Sequence, residues 1–479
     1  MTWQPITDLP EAWQALAEPD LVPLAQLWEQ QRESLRTTAA YQAFMERLRR
    51  RFAIETGVIE RLYNIDRGVT QLLIERGIDE SLIQHGTTDR PAHEVIALVR
   101  DQAEAIQSVF DFVAQRCTLS SFYIRQLHEI LTRHQQTVEA QDQFGNRFET
   151  QLLRGAWKRL PNNPMRGDGS THEDCPPLQV EPQMEQLIAW HVQHTQKGVA
   201  PEVEAAWLHH RFTQIHPFQD GNGRVARLLA TLVFVRAGWF PLALTRDERS
   251  AYISALEQAD DGDLKPLVVL FAHAQRRAFT TALSLSEEVT LERRSLQEAL
   301  QAFAASIQSG AGDTVELPRQ HAERLQRRLQ KQLTSFQNQL AVILHTRQPE
   351  LMLTEAAFGA PNNYYYRYQI VETARRLDYF ANLQAHRSWT HLRLAVPSSF
   401  TVGVLFSIHA VGKQPHGLMA CSACIYEKDE EGAFIDLQPL SEVPFQFTPY
   451  DQPALLEKRF KEWLDIALIV ALEYLRKRL

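Results

Sequence analysis

Twelve consecutive residues, His216-Pro217-Phe218-Gln219-Asp220-Gly221-Asn222-Gly223-Arg224-Val225-Ala226-Arg227, put a base, a carboxylate, two glycines and two guanidinium groups into one short run. Read as chemistry, the run describes a phosphate site. Gly221, Asn222 and Gly223 open a segment whose apolar positions Val225, Leu228, Leu229, Leu232 and Val233 follow helical spacing. Glycine lets a backbone approach an anion closely, and the first N–H groups of a helix point outward without intrahelical partners. The positive end of the helix dipole favours phosphate at the same place. Arg224 and Arg227 lie three residues apart, so both forks sit on one helix face and can engage phosphate oxygens. Asp220 is a poor neighbour for phosphate by itself. It suits Mg2+, a hard cation commonly held by one or two carboxylates plus substrate phosphates. His216, four residues before Asp220, suits general-base work near neutral pH. Phe218 is expected to point inward and anchor the loop. A single His-Pro-Phe is ordinarily a turn, and a spaced arginine pair is ordinarily a solvated face. Eight defined positions converging on one geometry give the run its weight.

The pattern His-x-Phe-x-Asp-Gly-Asn-Gly-Arg-x-x-Arg resembles the signature of the Fic family at every defined position. The likeness extends over roughly residues 40 to 275, with a helix expected at Glu202 to Ile215 before the motif and Tyr252…Leu256…Ala259-Asp260-Asp261-Gly262-Asp263…Pro266-Leu267 after it. The resemblance implies a protein adenylyltransferase, an enzyme that moves AMP from ATP to a Ser, Thr or Tyr hydroxyl of a target protein. In that reading His216 deprotonates the hydroxyl and Asp220 holds Mg2+. Gly221, Asn222 and Gly223 form the anion cradle, Arg224 and Arg227 bind the outer phosphates, and Tyr252 joins the nucleotide-binding residues. Asn222 also counts among the catalytic positions. Gly223 bears on the choice of reaction: the related Doc-type kinases resemble a lysine there, and glycine favours AMP transfer.

Two further devices follow from the resemblance. Fic enzymes carry a hairpin, the flap, which pairs with an extended target segment as an added strand. Gly155, Trp157 and Lys158, beside turn-rich sequence, are the candidate residues. Many members are also restrained by a helix bearing Ser/Thr-x-x-x-Glu-Gly/Asn, whose glutamate pairs with the second motif arginine. Thr56-Gly57-Val58-Ile59-Glu60-Arg61 is similar to it and puts Thr56 and Glu60 one helical turn apart. Arg61 departs from the usual small or amide residue. Glu55 is a second register, with Arg51 in the place of the hydroxyl residue.

These residues need a scaffold, and 479 residues imply two or three domains. Residues to about 280 read as mostly helical, with apolar residues three or four apart, as in Val95, Leu98, Val99 and Ile106, Val109, Phe110, Val113. Asn162-Asn163-Pro164, Gly167-Asp168-Gly169 and Pro176-Pro177 mark a loop or hairpin between about 152 and 178. From about 284 to 346 two helices around Ser309-Gly310-Ala311-Gly312-Asp313 are expected. Beyond Asn363, Thr401 to Ala410, Leu418 to Tyr426 and Ala433 to Leu437 read as strands, and Leu455 to Leu479 as a closing helix. The expected fold is mainly α: a helical Fic core with a β-hairpin flap, then a helical connector and a small α+β C-terminal domain. The expected boundaries are 1–100 for an N-terminal helical region with the inhibitory helix, 101–280 for the catalytic core, 281–350 for the connector and 351–479 for the last domain.

The hydrophobic and charged shares, 44% and 23%, are those of a globular protein, and the net charge of −8 disfavours nucleic acid as a partner. Four cysteines, no basic-then-apolar leader and no apolar run of spanning length lead to the expectation of a cytoplasmic protein without a membrane partner. Self-modification and a homodimer are compatible with the pattern. Cys421-Ser422-Ala423-Cys424, with His409 and His416 upstream, has the residue types of a zinc site, but its small and apolar texture favours a buried strand. Tyr364-Tyr365-Tyr366-Arg367-Tyr368 can stack a base or a peptide, yet such a run more often divides between core and surface. Two rivals stand beside AMP transfer from ATP. One is the same site using another nucleotide or removing AMP. The other is an interaction protein built on a vestigial core.

Overall fold

The computed structural model describes residues 3–84, 86–141, 147–162, 173–284, 312–344, 350–396, 400–412, 417–428, 434–441 and 443–478. Two compact units make up the chain: Met1–Glu18 with Ala43–Arg276, and Pro19–Gln42 with Arg277–Leu479. Helix α1 (Leu21–Leu35) therefore lies in the second unit, although its sequence falls in the stretch read as an N-terminal helical region.

The first unit is built from α2 (Ala39–Ile59) from Ala43 onward, α3 (Arg67–Arg76), α4 (Ala92–Ala114), α5 (Ser121–Leu131), a hairpin of β1 (Thr137–Gln141) and β2 (Arg147–Gln151), α6 (Pro177–Lys197), α7 (Pro201–Ile215), α8 (Asn222–Arg236), α9 (Arg249–Asp260) and α10 (Lys265–Ser284) as far as Arg276. Local chemistry sets several of these ends. Asp66 accepts the Gly68 N–H at 2.7 Å to start α3, and Ser120 accepts the Tyr123 N–H at 3.3 Å to start α5. Pro201 opens α7, where a missing N–H costs nothing. Eleven of the 15 residues of α7 and 12 of the 15 in α8 are buried. Helices enclosed on nearly all sides belong at the centre of a domain. Trp207 and Phe212 of α7 pack there with Leu228, Leu229 and Phe234 of α8, and α4, α5 and α6 surround the pair.

The second unit carries a six-stranded antiparallel sheet. Its path runs β3 (Glu350–Ala356), β4 (Ala381–Val396), β5 (Phe400–Val411), β6 (Met419–Lys428), β7 (Phe434–Pro439), with β8 (Phe445–Phe447) also paired to β6. Two helices, α11 (Gly312–Ile343) and α13 (Pro453–Arg478), share a core with one sheet face through Leu325, Leu329, Phe406, Ile425, Phe460 and Leu464. A shorter helix, α12 (Arg367–Arg376), contacts β4, β6 and β7. Of the two helices expected in 284–346, α11 is the second; the first falls on residues outside the described ones, as do Gly167-Asp168-Gly169 and His416. Strands β3, β4 and β8 are additions to the strands expected from the sequence.

Cys421 and Cys424 sit buried on β6, three residues apart. Odd separations put side chains on opposite sheet faces, so the two thiols do not share a metal. Burial pushes both thiols up, Cys424 to about 12. Among the described residues no helix is long and apolar enough to cross a membrane.

Candidate active site

The loop between α7 and α8 is held in a shape that its sequence does not adopt freely. His216 takes left-handed backbone angles (φ 50°, ψ 57°) as the cap of α7, and its N–H donates to the Phe212 carbonyl at 3.0 Å. A non-glycine residue there stores strain on the order of 1 kcal/mol or more, which neighbouring contacts must offset. Asn222 supplies one such contact in duplicate. Its Oδ1 accepts the Phe218 N–H at 2.9 Å and its Nδ2 donates to the Phe218 carbonyl at 2.8 Å. The Phe218 ring is fully buried, stacked on His128 at 3.8 Å between centroids and tilted against Trp157 at 4.9 Å. Gly221 then turns left-handed (φ 81°) to start α8.

The turn leaves an anion-accepting helix end. The first intrahelical bond runs from the Val225 N–H to the Gly221 carbonyl at 3.1 Å, and among the described residues no side chain caps this end. The N–H groups of Asn222, Gly223 and Arg224 precede that bond and carry the positive pole of the helix. Asp220 accepts from Gln135 Nε2 at 2.5 Å and from the Gly221 N–H at 2.6 Å. Burial works against the Asp220 charge, but Arg224 and these donors outweigh it and hold the carboxyl below the usual carboxylate range. An ionised carboxylate beside a phosphate-accepting helix end fits a hard cation. Arg224 is buried, donates from Nη2 to Gln135 Oε1 at 2.7 Å, and has a buried Nε without a partner among the described residues. A buried guanidinium with a spare donor fits an incoming oxyanion.

Arg227, like Arg224, is only 1% exposed. Its Nε donates to Thr56 Oγ1 at 2.6 Å, its Nη2 lies 2.7 Å from Glu60 Oε1, and its Nη1 donates to the Tyr252 hydroxyl at 3.3 Å. Burial opposes the charge, yet Glu60 and Tyr252 raise the guanidinium pKa above its ordinary value. Tyr252 is itself buried and bonded through its hydroxyl to His209 at 2.9 Å, so it stands behind Arg227 as a brace. His209, enclosed beside Arg227, is held well below the usual imidazole range by burial first and by that charge second.

Glu60, not Glu55, is the residue that reaches the motif. Glu55 is buried against Arg246, 3.0 Å from Nη2, and accepts the Arg246 N–H at 2.8 Å. Glu60 follows the last turn of α2, where Arg61 N–H donates to the Val58 carbonyl and Leu62 N–H to the Gly57 carbonyl, both at 3.0 Å. Those two bonds are a Schellman helix end, and its left-handed position is Arg61, at φ 57°. The preference for glycine or asparagine at this position thus has a backbone cause, and Arg61 meets the same geometry at a cost. Gly57 is required by packing, because a Cβ there would clash with the Tyr63 ring and hydroxyl.

The hairpin and the residues assigned to it separate. Strand pairing joins Thr137–Gln141 to Arg147–Gln151, whereas Gly155, Trp157 and Lys158 lie beyond it and brace the motif loop. Gly155 N–H donates to His128 Nδ1 at 3.0 Å, Trp157 Nε1 to Glu181 at 2.7 Å, and Lys158 N–H to the Pro217 carbonyl at 2.8 Å. Strand pairing stops at Gln151, and turn chemistry around 155–158 looks like a hairpin tip only when the pairing is unseen. Leu153 N–H to Gln219 and Asn162 to the Phe218 carbonyl complete the bracing.

Three contributors had no signal in the sequence: Gln135, His128 and Asn162. Gln135 bridges Asp220 and Arg224. His128 accepts from Gly155 at Nδ1, so Nε2 carries the proton and donates to the Asp220 carbonyl at 2.9 Å. Burial drives the His128 pKa down to about 4, which keeps the ring neutral and that tautomer in place.

A helical domain with a base at one end of a clamped loop and a charged anion cradle at the other has the parts of a phosphate-handling protein. Residues 118–234 match the family model described as Fic/DOC family. They are a Fic/DOC-family domain. Similar curated proteins include protein adenylyltransferase Fic of Nematostella vectensis, 35% identical over 129 residues, which are 26% of this chain and 30% of that protein. Protein adenylyltransferase fic-1 of Caenorhabditis elegans is 37% identical over 92 residues, 19% of this chain and 18% of that one. The chain thus spans less than a third of the length of these curated relatives. Among solved structures, a Fic domain containing signaling protein from Bacteroides thetaiotaomicron aligns over 55% of this chain and 96% of its own, at 22% identity and a TM-score of 0.45.

Two outcomes follow from this geometry. Arg61→Gly removes a left-handed side chain and is expected to raise unfolding stability by about 0.5–1 kcal/mol, net of the added unfolded-state entropy; a lowered denaturant midpoint contradicts this account of the helix end. His128 is depressed from 6.5 to about 4 on folding, so its contribution is complete above pH 6.5 and erodes as pH falls toward 4. Across that window the unfolding free energy of His128→Gln, measured with urea, is expected to fall less steeply than that of wild type, by up to about 1.4 kcal/mol per pH unit. Parallel pH profiles contradict the neutral-ring assignment.

Proposed function

We propose that this chain transfers AMP from ATP to a Ser, Thr or Tyr hydroxyl of a target protein, and that Glu60 restrains it at rest. The observation that carries this reading is the gathering of ionised Asp220, Arg224 and Arg227 at the start of α8, with His216 at the other end of the same clamped loop. Phosphates of the nucleotide would lie against the N–H groups of residues 222–224, with Arg224 and Arg227 on the outer oxygens. Asp220 would hold Mg2+, which would supply positive charge to offset that of the phosphates.

His216 takes the proton of the target hydroxyl while its oxygen attacks the α-phosphorus in line, and pyrophosphate leaves. The protein contributes positioning and charge stabilisation rather than a covalent intermediate. The β1–β2 hairpin offers an exposed Phe148 and a strand edge suited to an extended target segment. Every residue named in this reaction lies in the first unit.

Glu60 occupies the fork of Arg227 that an outer phosphate needs, and it also fills the space over Gly223, where a Cβ would clash with its carboxylate. A hydrogen bond to a charged group is worth about 1.5–3 kcal/mol, so Glu60→Gly is expected to raise self-modification with labelled ATP roughly 10- to 100-fold. His216→Ala in the Glu60→Gly background is expected to abolish the label, and intact mass reads which nucleotide is attached. Unchanged labelling in Glu60→Gly sinks the restraint; absence of any nucleotide adduct in it sinks the transfer reaction.

A further inference from the structure

The base of the site has a neighbour that the motif does not contain. Asp174, in the segment leading into α6, is 5% exposed, and its Oδ2 lies 3.3 Å from His216 Nδ1. We propose that Asp174 is the positioning residue of His216: it turns the ring so that Nδ1–H faces the buried carboxylate and Nε2 faces the target hydroxyl. Three observations support this arrangement.

First, the ring is asymmetric in its surroundings. The His216 side chain is 30% exposed while that of Asp174 is 2% exposed, so the histidine remains partly accessible while the carboxylate 3.3 Å from its Nδ1 is buried. Second, Asp174 is a buried carboxylate that the motif does not call for. Burial pushes its carboxyl up to about 7, Lys158 opposes that rise and Asp260 of α9 adds to it. Third, Lys158 is a buried lysine whose Nζ donates to Asn162 Oδ1 at 2.8 Å and whose backbone N–H holds Pro217, next to His216. Burial pushes its ammonium down in turn, with Asp174 opposing. Burying a lysine and an aspartate near each other is costly unless each offsets the charge of the other. Their placement beside His216 gives that cost a purpose.

In the transfer step the hydroxyl O–H bond breaks to Nε2, the oxygen–α-phosphorus bond forms, and the α-phosphorus–oxygen bond to pyrophosphate breaks. His216 ends as an imidazolium whose Nδ1–H faces the Asp174 carboxylate. A carboxylate at that distance stabilises the imidazolium and fixes the tautomer beforehand. The charged and titratable groups around the pair are Lys158 and Cys175 on the Asp174 side, Asp260 from α9, and Asp220 across the loop. The catalytic role rests on the reaction proposed above; the pairing with His216 does not.

The test separates the two. Carbethoxylation of His216 by diethyl pyrocarbonate, followed by peptide mass spectrometry across pH, reads the ring directly without turnover. Asp174→Asn is expected to lower the midpoint of His216 modification by about one pH unit, since a charge partner at this range shifts a pKa by roughly one to three units. In the Glu60→Gly background the same change is expected to cut kcat about 10- to 100-fold with KM for ATP within about twofold, and Asp174→Glu is expected to restore part of the loss. An unchanged modification midpoint in folded Asp174→Asn overturns the proposal, whatever the activity. A lowered midpoint in a protein that transfers no nucleotide upholds the pairing and overturns only the reaction. If Asp174→Asn does not fold, the unaltered protein carries the test. Nitrogen NMR of ring-labelled histidine, with the His216 signals identified by their loss in His216→Ala, reads the tautomer of the neutral ring. Protonation at Nδ1 upholds the pairing, and protonation at Nε2 overturns it.

Discussion

A guanidinium buried to 1% exposure cannot stand unpaired, and much of the site is organised around giving Arg227 its partners. Thr56, Glu60 and Tyr252 supply them from α2, the turn after it, and α9. The same enclosure that makes Arg227 costly makes it potent toward a phosphate, because a fork held in place loses little freedom when it binds. Any anion that takes the Glu60 position must offer at least as good an acceptor. This exchange is the physical content of the proposed restraint.

Gly223 couples the cradle to that exchange. Glu60 lies where a side chain at 223 would be, so the glycine that leaves the helix end open also leaves room for the carboxylate. The end of α2 delivers Glu60 through a Schellman turn whose left-handed residue is Arg61. The proposed restraint therefore depends on a backbone shape at 61 and an absent side chain at 223.

The loop from 216 to 222 is held for a different reason. Its strained start at His216 is offset by the paired bonds from Asn222 to Phe218, by the neutral His128 under the Phe218 ring, and by the segment 153–162 alongside. The Asn222 side chain thus holds backbone. The Tyr252 hydroxyl likewise meets Arg227. Groups that look chemical in a signature can be structural because the reacting atoms need support within a fraction of an ångström.

The sequence by itself determined the motif turn, the likeness of its surroundings to the Fic/DOC family and the mainly helical character, and narrowed the residue facing Arg227 to Glu60 or Glu55. Each of these is written within a few turns of chain, where spacing alone places side chains on one face or at one helix end. It misplaced the hairpin by several residues, since turn residues at 155–158 carry the same local signal whether strands flank them or not. Only the tertiary structure decided that Gln135, 85 residues from Asp220, and His128, 92 residues from its carbonyl partner there, complete the loop. Nor does any local pattern place Asp174 beside His216 or Lys158 in the interior. Glutamine, aspartate and lysine are ordinary surface residues, and they become part of a site only when packing removes their water and leaves one another as the remaining partners.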